Sequence, residues 1–134
     1  MVKRLALALL LIGLLGGTAS ATSVRHLRSD STESRIKRAV AKTKYPKTLY
    51  AIAVVESSLN PHAVGDGGRS KGLYQIREDL HGRVPHDIEG QTKKAAKMFD
   101  TLVKQYGYRN AIRKWNGSGE ETKKYRSKVM LAMR

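Results

Sequence analysis

Residues 49–76 read LYAIAVVESSLNPHAVGDGGRSKGLYQI, and they join an apolar helical segment to a glycine-rich loop. Thr48 to Ser57 has apolar residues on nearly every side, which predicts a helix in the core of the protein. Asn60-Pro61 is expected to end this helix, because proline restricts the residue before it and cannot extend the ladder of hydrogen bonds. Gly65 to Gly72 contains too much glycine for a regular element, so an irregular loop should follow the buried helix.

One carboxyl group lies on the apolar side of this helix. The spacing i, i+3, i+4, i+7 relates Glu56 to three apolar residues, Leu49, Ile52 and Ala53. A carboxyl in such surroundings is partly desolvated, which raises its pKa and keeps it protonated near neutral pH, as a general acid requires. Periodicity alone also allows a glutamate at a helix end that turns to solvent or bonds nearby serines and loop amides.

Helical patterns flank the loop on both sides. On the N-terminal side, Asp30 with Glu33 resembles a capping box, and apolar residues follow at helical spacing. On the C-terminal side, Asp87 is expected to cap a helix that runs to about Tyr106 and ends at Gly107. The predicted apolar stripe of that helix is Ala95, Met98, Phe99, Leu102, Val103 and Tyr106.

Two shorter helices are predicted after Gly107. The first covers about 109–115, and the second opens at Ser118, which forms a capping box with Glu121. In this last helix Tyr125 and Val129 are expected to face inward, with Ala132 as a further candidate.

Length and composition limit the architecture. The chain has 134 residues, enough for one domain but not for two, and its 40% hydrophobic and 28% charged residues are an ordinary globular balance. No segment shows convincing strand alternation, and Leu73 to Glu78 is expected to form one helical turn. The sequence therefore predicts an all-α single domain of short helices around the glycine-rich loop, with little or no strand. The absence of cysteine excludes disulfide scaffolds, thiolate zinc sites and cysteine nucleophiles.

The first 21 residues have the pattern of a secretory signal peptide. Lys3 and Arg4 precede an apolar run from Leu5 to Leu15, and Ala19-Ser20-Ala21 matches the small-x-small cleavage pattern. The alternative is an uncleaved anchor, because no charge interrupts the run up to Val24 and a span needs about 20 residues. Glycine, serine and threonine weaken the second half of the run, which favours cleavage. We therefore expect export to the periplasm or to the extracellular cell wall.

The motifs that follow Glu56 resemble those of the lytic transglycosylase family, whose catalytic domain has a goose-lysozyme-like fold. The family pattern of Glu-Ser, Asn-Pro-x-Ala and Gly-Leu-x-Gln-Ile is matched here by Glu56-Ser57, 60–63 and 72–76. Trp115-Asn116-Gly117 is similar to an aromatic-Asn block, and Tyr125 with Lys128-Val129 is similar to a later tyrosine block. The resemblance covers about 46–129. The expected organisation is a signal peptide over 1–21, a basic polar lead-in and first helix over 22–45, and a core over 46–134, which the resemblance identifies as a lysozyme-like transglycosylase domain.

The resemblance implies that Glu56 is the single general acid/base of a peptidoglycan lytic transglycosylase. It would protonate the β-1,4 glycosidic oxygen between N-acetylmuramic acid and N-acetylglucosamine. The deprotonated glutamate would then help the muramoyl 6-hydroxyl attack the anomeric carbon, which gives a 1,6-anhydro product. Tyr74 and Gln75 are expected beside the scissile bond, and Asn116 and Tyr125 are expected on the opposite wall of the cleft.

Three departures from the family pattern affect the substrate-binding residues. Gly65 stands where many relatives have serine, and the loop is one residue longer than their commonest form. Ser70, just before Gly72, is the candidate to replace that serine. Trp115 stands where tyrosine is more usual, which removes a hydroxyl and leaves a stacking surface.

Two other functions remain open. A hydrolytic muramidase would need a second carboxylate at roughly 5 to 9.5 Å from the first. Asp66 is the best candidate, followed by Glu78 and Asp79, although each is more simply interpreted as a solvated loop or turn residue. A non-catalytic peptidoglycan-binding or assembly module would keep the fold but would not need a desolvated acid.

Neither a cofactor nor a metal is expected. The four histidines, at positions 26, 62, 81 and 86, are scattered, and the loop lacks the residue order of a phosphate loop.

The formal charge of +15 predicts attraction to polyanions. A secreted destination and the lack of a basic-aromatic platform argue against specific nucleic-acid binding. The charge favours attraction to the anionic cell wall or to acidic lipid head groups. The resemblance implies the peptidoglycan glycan strand as the partner, with a secretion, conjugation or phage-infection machine as a further candidate. Membrane contact is expected only through the signal segment or by electrostatic attraction.

Overall fold

A computed structural model describes residues 31–134 of the chain. The predicted signal peptide, its alternative as an anchor, and the Asp30 cap lie outside the described residues. The chain divides at Ser34 into an N-terminal unit, of which 31–34 are described, and a compact unit over Arg35–Arg134. Within the N-terminal unit, the backbone N–H of Ser34 donates to Oγ of Ser31 at 3.2 Å.

Helices account for most of the described residues. Their bounds are Thr32–Ala41 (α1), Pro46–Ser57 (α2), Glu78–His81 (α3), Ile88–Tyr106 (α4), Tyr108–Trp115 (α5) and Glu121–Ala132 (α6). Three strands of two residues each, Val64–Gly65 (β1), Ser70–Lys71 (β2) and Ile76–Arg77 (β3), form an antiparallel sheet in the order β1-β2-β3. The mostly helical architecture confirms the predicted fold class.

The sheet shapes the loop after α2. Val64 pairs with Lys71, and Lys71 pairs in turn with Ile76, with a single 3-10 turn over Asp66–Gly68 between β1 and β2. Strands of two residues are too short to produce a visible alternation of apolar and polar residues, which is why the sequence did not reveal them. The predicted helical turn over Leu73 to Glu78 is wrong, because this segment forms a tight turn and then β3.

The central helix begins two residues before the predicted start and ends at Ser57, as predicted. α2 starts at Pro46 rather than Thr48, because proline is well tolerated in the first turn, where its missing N–H is not needed. It stops at Ser57, before Asn60-Pro61. Ser58 and Leu59 adopt left-handed conformations with φ of 51° and 64°, and the N–H of Ser58 donates to the carbonyl of Val54 at 3.0 Å.

Helix α4 has the predicted bounds. Oδ1 of Asp87 accepts a hydrogen bond from the N–H of Gly90 at 2.6 Å, and the helix ends at Gly107, whose φ is 78°. Within the predicted stripe, Ala95 and Phe99 are buried, whereas Tyr106 is 39% exposed and its assignment to the buried side is wrong. The other members, Met98, Leu102 and Val103, are partly buried and pack against the core.

The last helix begins without a capping box. α6 starts at Glu121 with no side-chain cap, so the predicted pairing of Ser118 with Glu121 is wrong. Gly117 and Gly119 have positive φ values of 97° and 102°, and they make the turn that leads into the helix. Tyr125 and Val129 are buried as predicted, but Ala132 is exposed.

The hydrophobic core surrounds α2, which packs against α4 and α6. Leu49, Ala51, Ile52 and Ala53 are all completely buried, so the helix is enclosed up to one turn before Glu56. The other core residues include Ile36, Ala39, Val40, Leu73, Phe99, Ala111, Ile112 and Val129. None of the helices between residues 31 and 134 is long and apolar enough to cross a membrane.

Candidate active site

An open cleft of about 740 Å³ lies at the C-terminal end of α2. One part of its lining comes from the glycine loop and the sheet, over 65–77. Another part comes from Met98, Thr101 and Leu102 of α4, and a third from the end of α5 and the residues after it, 114–117. The cleft is open rather than enclosed, so a bound polymer could extend beyond it.

Glu56 is half-buried in this cleft, and its carboxyl accepts a hydrogen bond at Oε1 from the Tyr125 hydroxyl, at 2.6 Å. Burial raises the pKa of Glu56 above its usual value. The hydrogen bond from Tyr125 opposes this shift, and the negative charge of Asp66 adds to it. The net direction is upward, so the protonated form is favoured over a wider pH range than in water.

Tyr125 comes from α6, which packs against α2. Its side chain is only 7% exposed, and burial together with the neighbouring Glu56 raises the pKa of its hydroxyl far above the usual value. The hydroxyl therefore stays protonated and acts as a hydrogen-bond donor to Glu56.

Gln75 lines the cleft in a left-handed conformation, with φ of 47°. Its Nε2 donates to the carbonyls of Ala63 at 3.2 Å and Gly72 at 3.0 Å, so the side chain joins the two ends of the loop. A Cβ atom placed on Gly65 would lie 2.4 Å from Oε1 of Gln75. This contact explains why glycine occupies position 65, because a side chain there would displace Gln75.

Ser70 and Asp66 form a pair in the same part of the cleft. Ser70 is 2% exposed, and its hydroxyl donates a hydrogen bond to the Asp66 carboxylate. Asp66 itself is exposed, lines the cleft with Glu56, and has a positive φ of 51°. Of the residues suggested as a second carboxylate, Asp66 is therefore the one that shares the cleft.

The two other carboxylate candidates are engaged elsewhere. Oε1 of Glu78 accepts a hydrogen bond from the N–H of Val84 at 2.9 Å, and Asp79 forms an ion pair with Arg77. Neither Glu78 nor Asp79 is part of the lining of the cleft that contains Glu56.

Tyr74 lies in the floor of the cleft. It is 1% exposed, and its hydroxyl shares a hydrogen bond of 2.9 Å with Oγ1 of Thr92 on α4. Burial raises the pKa of Tyr74 to about 12. Because its hydroxyl is bonded to Thr92 and its side chain is almost completely buried, Tyr74 supports the wall of the cleft from within the core.

Trp115 and Asn116 line the cleft at the end of α5. Trp115 is half-buried, and the centroid of its ring lies 6.3 Å from that of Phe99. Asn116 is the exposed C-cap of the helix. The structure thus gathers six of the predicted site residues around one cleft, and the seventh, Tyr125, contacts Glu56.

A residue that the sequence reasoning missed is Gln91 of α4, which is 2% exposed. Its Oε1 accepts from the N–H of Leu73 at 2.8 Å, and its Nε2 donates to the carbonyl of Pro61 at 2.9 Å. Gln91 therefore connects α4 to both sides of the glycine loop. The helical spacing could have revealed this residue, because Gln91 lies four and eight positions before the buried Ala95 and Phe99. The same kind of spacing related Glu56 to the apolar residues of α2.

The cleft also contains cationic side chains but has no cluster suited to a metal. Arg77 and Lys114 line it; Arg77 is paired with Asp79, and the Lys114 ammonium lies 5.0 Å from the centre of the Tyr106 ring. In the part of the chain from residue 31 onward, no three acidic or histidine side chains come together as metal ligands. The site offers one desolvated acid in an open cleft that also contains the exposed carboxylate of Asp66.

A family model described as a lysozyme-like domain matches residues 36–115. The matched segment includes Glu56, the whole glycine loop and Gln91, whereas Asn116 and Tyr125 lie beyond its end. Comparisons with curated proteins and with solved structures give no significant match.

Proposed function

The chain belongs to the lysozyme-like domain family, whose members generally cleave peptidoglycan, and from this premise we propose that it is a peptidoglycan lytic transglycosylase. The observation that carries the proposal is Glu56: it is a half-buried carboxyl in the cleft, with a raised pKa and a tyrosine hydroxyl bound to one oxygen. A transglycosylase needs one carboxyl that acts first as an acid and then as a base, and the raised pKa of Glu56 supports its assignment to the first of these roles.

In the first step, protonated Glu56 donates its proton to the oxygen that joins N-acetylmuramic acid to N-acetylglucosamine. The bond between the anomeric carbon and that oxygen breaks, and the N-acetylglucosamine side leaves as an alcohol. Because Tyr125 already donates to Oε1, the acidic proton is assigned to Oε2 of Glu56.

In the second step, the Glu56 carboxylate accepts the proton of the muramoyl 6-hydroxyl while the oxygen of that group bonds to the anomeric carbon. The 1,6-anhydro ring forms, no water is consumed, and Glu56 returns to its protonated state. Tyr125 stabilises the carboxylate between the two steps by its hydrogen bond.

The second candidate function is hydrolysis of the same bond, as in a muramidase. Asp66 favours it, because this carboxylate lines the same cleft and its charge raises the pKa of Glu56. We prefer transglycosylation because the motifs after Glu56 resemble those of lytic transglycosylases, and because Asp66 is more simply explained as an exposed loop residue that accepts a hydrogen bond from Ser70.

Mass spectrometry of the soluble products from purified peptidoglycan separates these functions. Transglycosylation predicts muropeptides that end in anhydromuramic acid, whereas hydrolysis predicts reducing ends that are heavier by one water. Glu56→Gln should abolish product release and leave sedimentation with the wall unchanged. Glu120→Gln, which removes an exposed carboxylate just before α6, is the matched control and should remain active. Wall binding without product from the unmodified protein would instead indicate a non-catalytic binding module.

We also propose that the protein is exported and acts on the wall from outside the cytoplasm, in the service of a secretion, conjugation or phage-infection machine. The support is the apolar run after Lys3 and Arg4 and the small residues at 19–21. N-terminal sequencing of protein recovered from the periplasm or medium should give Thr22 as its first residue.

A further inference from the structure

A second concave surface, of about 430 Å³, lies between α5 and α6 and contains none of the residues that line the cleft. We call it the arginine groove. Its lining residues are Arg109, Arg126, Ser127, Met130, Leu131 and Arg134.

The groove lies on the outer side of α6. Tyr125 and Val129 point into the core. Because an α-helix has 3.6 residues per turn, Arg126, Met130 and Leu131 lie on a different side of α6 and line the groove. Met130 is 42% exposed and Leu131 is 65% exposed, so two large apolar side chains stand next to each other in solvent. They give this side of α6 an apolar surface beside the arginines.

The three arginines of the groove have no carboxylate partner among residues 31–134. The acidic residues nearest to them in the sequence do not provide such a partner. Between 101 and 134 there are nine Lys and Arg but only two acids, Glu120 and Glu121. Both acids are paired, with Lys123 and Lys124 respectively. The groove is therefore a concentration of uncompensated positive charge.

We propose that the arginine groove binds an acidic segment of a partner protein, in which carboxylates flank an aliphatic side chain. The carboxylates would pair with Arg109 and Arg126, whose planar guanidinium groups suit two-point contact with a carboxylate. The aliphatic side chain would cover Leu131 and Met130 and remove their apolar surface from water. Arginine and methionine are enriched in protein interfaces, as they are in this groove.

The occupant is assigned as a polypeptide rather than a lipid surface because the groove is concave. A flat layer of head groups would meet the exposed tips of Leu131 and the arginines but would leave the volume between α5 and α6 unfilled. A side chain that projects from a peptide can enter that volume. The proposal is independent of the transglycosylase activity, since no cleft residue takes part.

The test uses the full-length protein and two fluorescein-labelled synthetic peptides, measured by fluorescence anisotropy. One peptide carries glutamates that flank leucines at helical spacing, and its partner has serine in place of each leucine. Arg109→Gln with Arg126→Gln should weaken binding of the leucine peptide by about tenfold or more. Lys93→Gln with Lys97→Gln removes the same charge from the exposed side of α4 and should weaken it by about threefold at most.

A second variant tests the apolar part of the groove. Leu131→Ser should weaken binding of the leucine peptide by about fivefold and leave binding of the serine peptide unchanged. Because Leu131 is widely exposed, its replacement should not disturb folding, so a loss of peptide binding would not reflect misfolding. Circular dichroism checks the folding of every variant.

Two outcomes would overturn the proposal. Equal losses in the arginine and lysine double variants would mean that the peptide responds only to overall charge. Binding to phosphatidylglycerol vesicles that depends on Arg109, Arg126 and Leu131, with peptide binding unaffected, would assign the groove to a membrane surface. Muropeptide release should be unchanged in all of these variants; that readout separates failure of this proposal from failure of the proposed enzymatic function.

Discussion

The Tyr125 hydroxyl donates a 2.6 Å hydrogen bond to Oε1 of Glu56, across 69 positions of sequence. Burial raises the pKa of the Glu56 carboxyl. The hydrogen bond from Tyr125 makes this shift smaller, because it favours the ionised form of the carboxyl. The two residues therefore set the balance between the acid and the base that the proposed reaction requires.

Tyr125→Phe should raise the pKa of Glu56 further, because it removes the interaction that lowers it. The general acid would then remain protonated to higher pH, so the alkaline limb of the pH–rate profile should move to higher pH. The maximal rate should fall by about tenfold to a hundredfold, since the carboxylate loses its stabilising donor. Tyr45→Phe, which removes a hydroxyl bound to Asp100, is the control and should shift neither quantity.

Glu56→Gln should make the protein more stable at neutral pH. The pKa of Glu56 is higher in the folded protein than in the unfolded chain, so the folded state binds this proton more tightly. The free energy of unfolding therefore falls as the pH rises from the pKa of the unfolded state to that of the folded state. The amide removes this cost. Thermal unfolding should show a higher Tm for Glu56→Gln at pH 7 and a difference that shrinks toward pH 4. A lower Tm at pH 7 would contradict the raised pKa.

Asp66→Asn should lower the pKa of Glu56, because the negative charge of Asp66 contributes to raising it. In a transglycosylase the alkaline limb should move to lower pH while anhydro products continue to form. In a hydrolase that uses Asp66 as its second carboxylate, activity should fall by orders of magnitude at every pH. The pH–rate profile and the product masses of this one variant thus test both functions.

Gly65→Ala should destabilise the loop, because the added Cβ would meet Oε1 of Gln75 at 2.4 Å while Nε2 is held by two backbone carbonyls. We expect a loss of about 1 to 3 kcal/mol in the free energy of unfolding. Combining it with Gln75→Ala gives a double-mutant cycle, measured by denaturant unfolding. The two effects should be strongly non-additive, and simple additivity would exclude this contact as the reason for glycine at position 65.

Gln91→Leu should leave the buried N–H of Leu73 and the carbonyl of Pro61 without their partner, at a cost of about 1 to 3 kcal/mol or more. Because these bonds position the glycine loop, muropeptide release should also slow. Gln105→Leu is the matched control on the exposed side of the same helix and should change stability by less than about 0.5 kcal/mol. Equal effects of the two substitutions would mean that Gln91 does not support the loop.

Much of the fold could be predicted because its signals are local. The cap at Asp87, the end at Gly107 and the apolar side of α2 depend on residues within a few positions of one another. The same periodicity placed Glu56 among apolar neighbours, and its half-buried position agrees with that prediction.

The features that were missed depend on contacts that are distant in sequence or too short to have a period. The strands β1, β2 and β3 have no measurable alternation, and their pairing follows from how the loop closes. Ser118 resembled a cap, but the glycines around it adopt positive φ and place the start of α6 later. That Gly65 faces Gln75 could not be read from spacing, because it requires the turn that brings them together.

Because Tyr125 belongs to α6, the last helix in the described residues, the cleft becomes complete late in synthesis. Chains are synthesised from the N-terminus, so Glu56 and the glycine loop are made well before the helix that supplies its hydrogen-bond donor. A nascent chain that stops short of position 125 therefore has the carboxyl without its partner. Assembly of the site must wait for α6, so the proposed activity would begin only after nearly all of residues 31–134 have been synthesised.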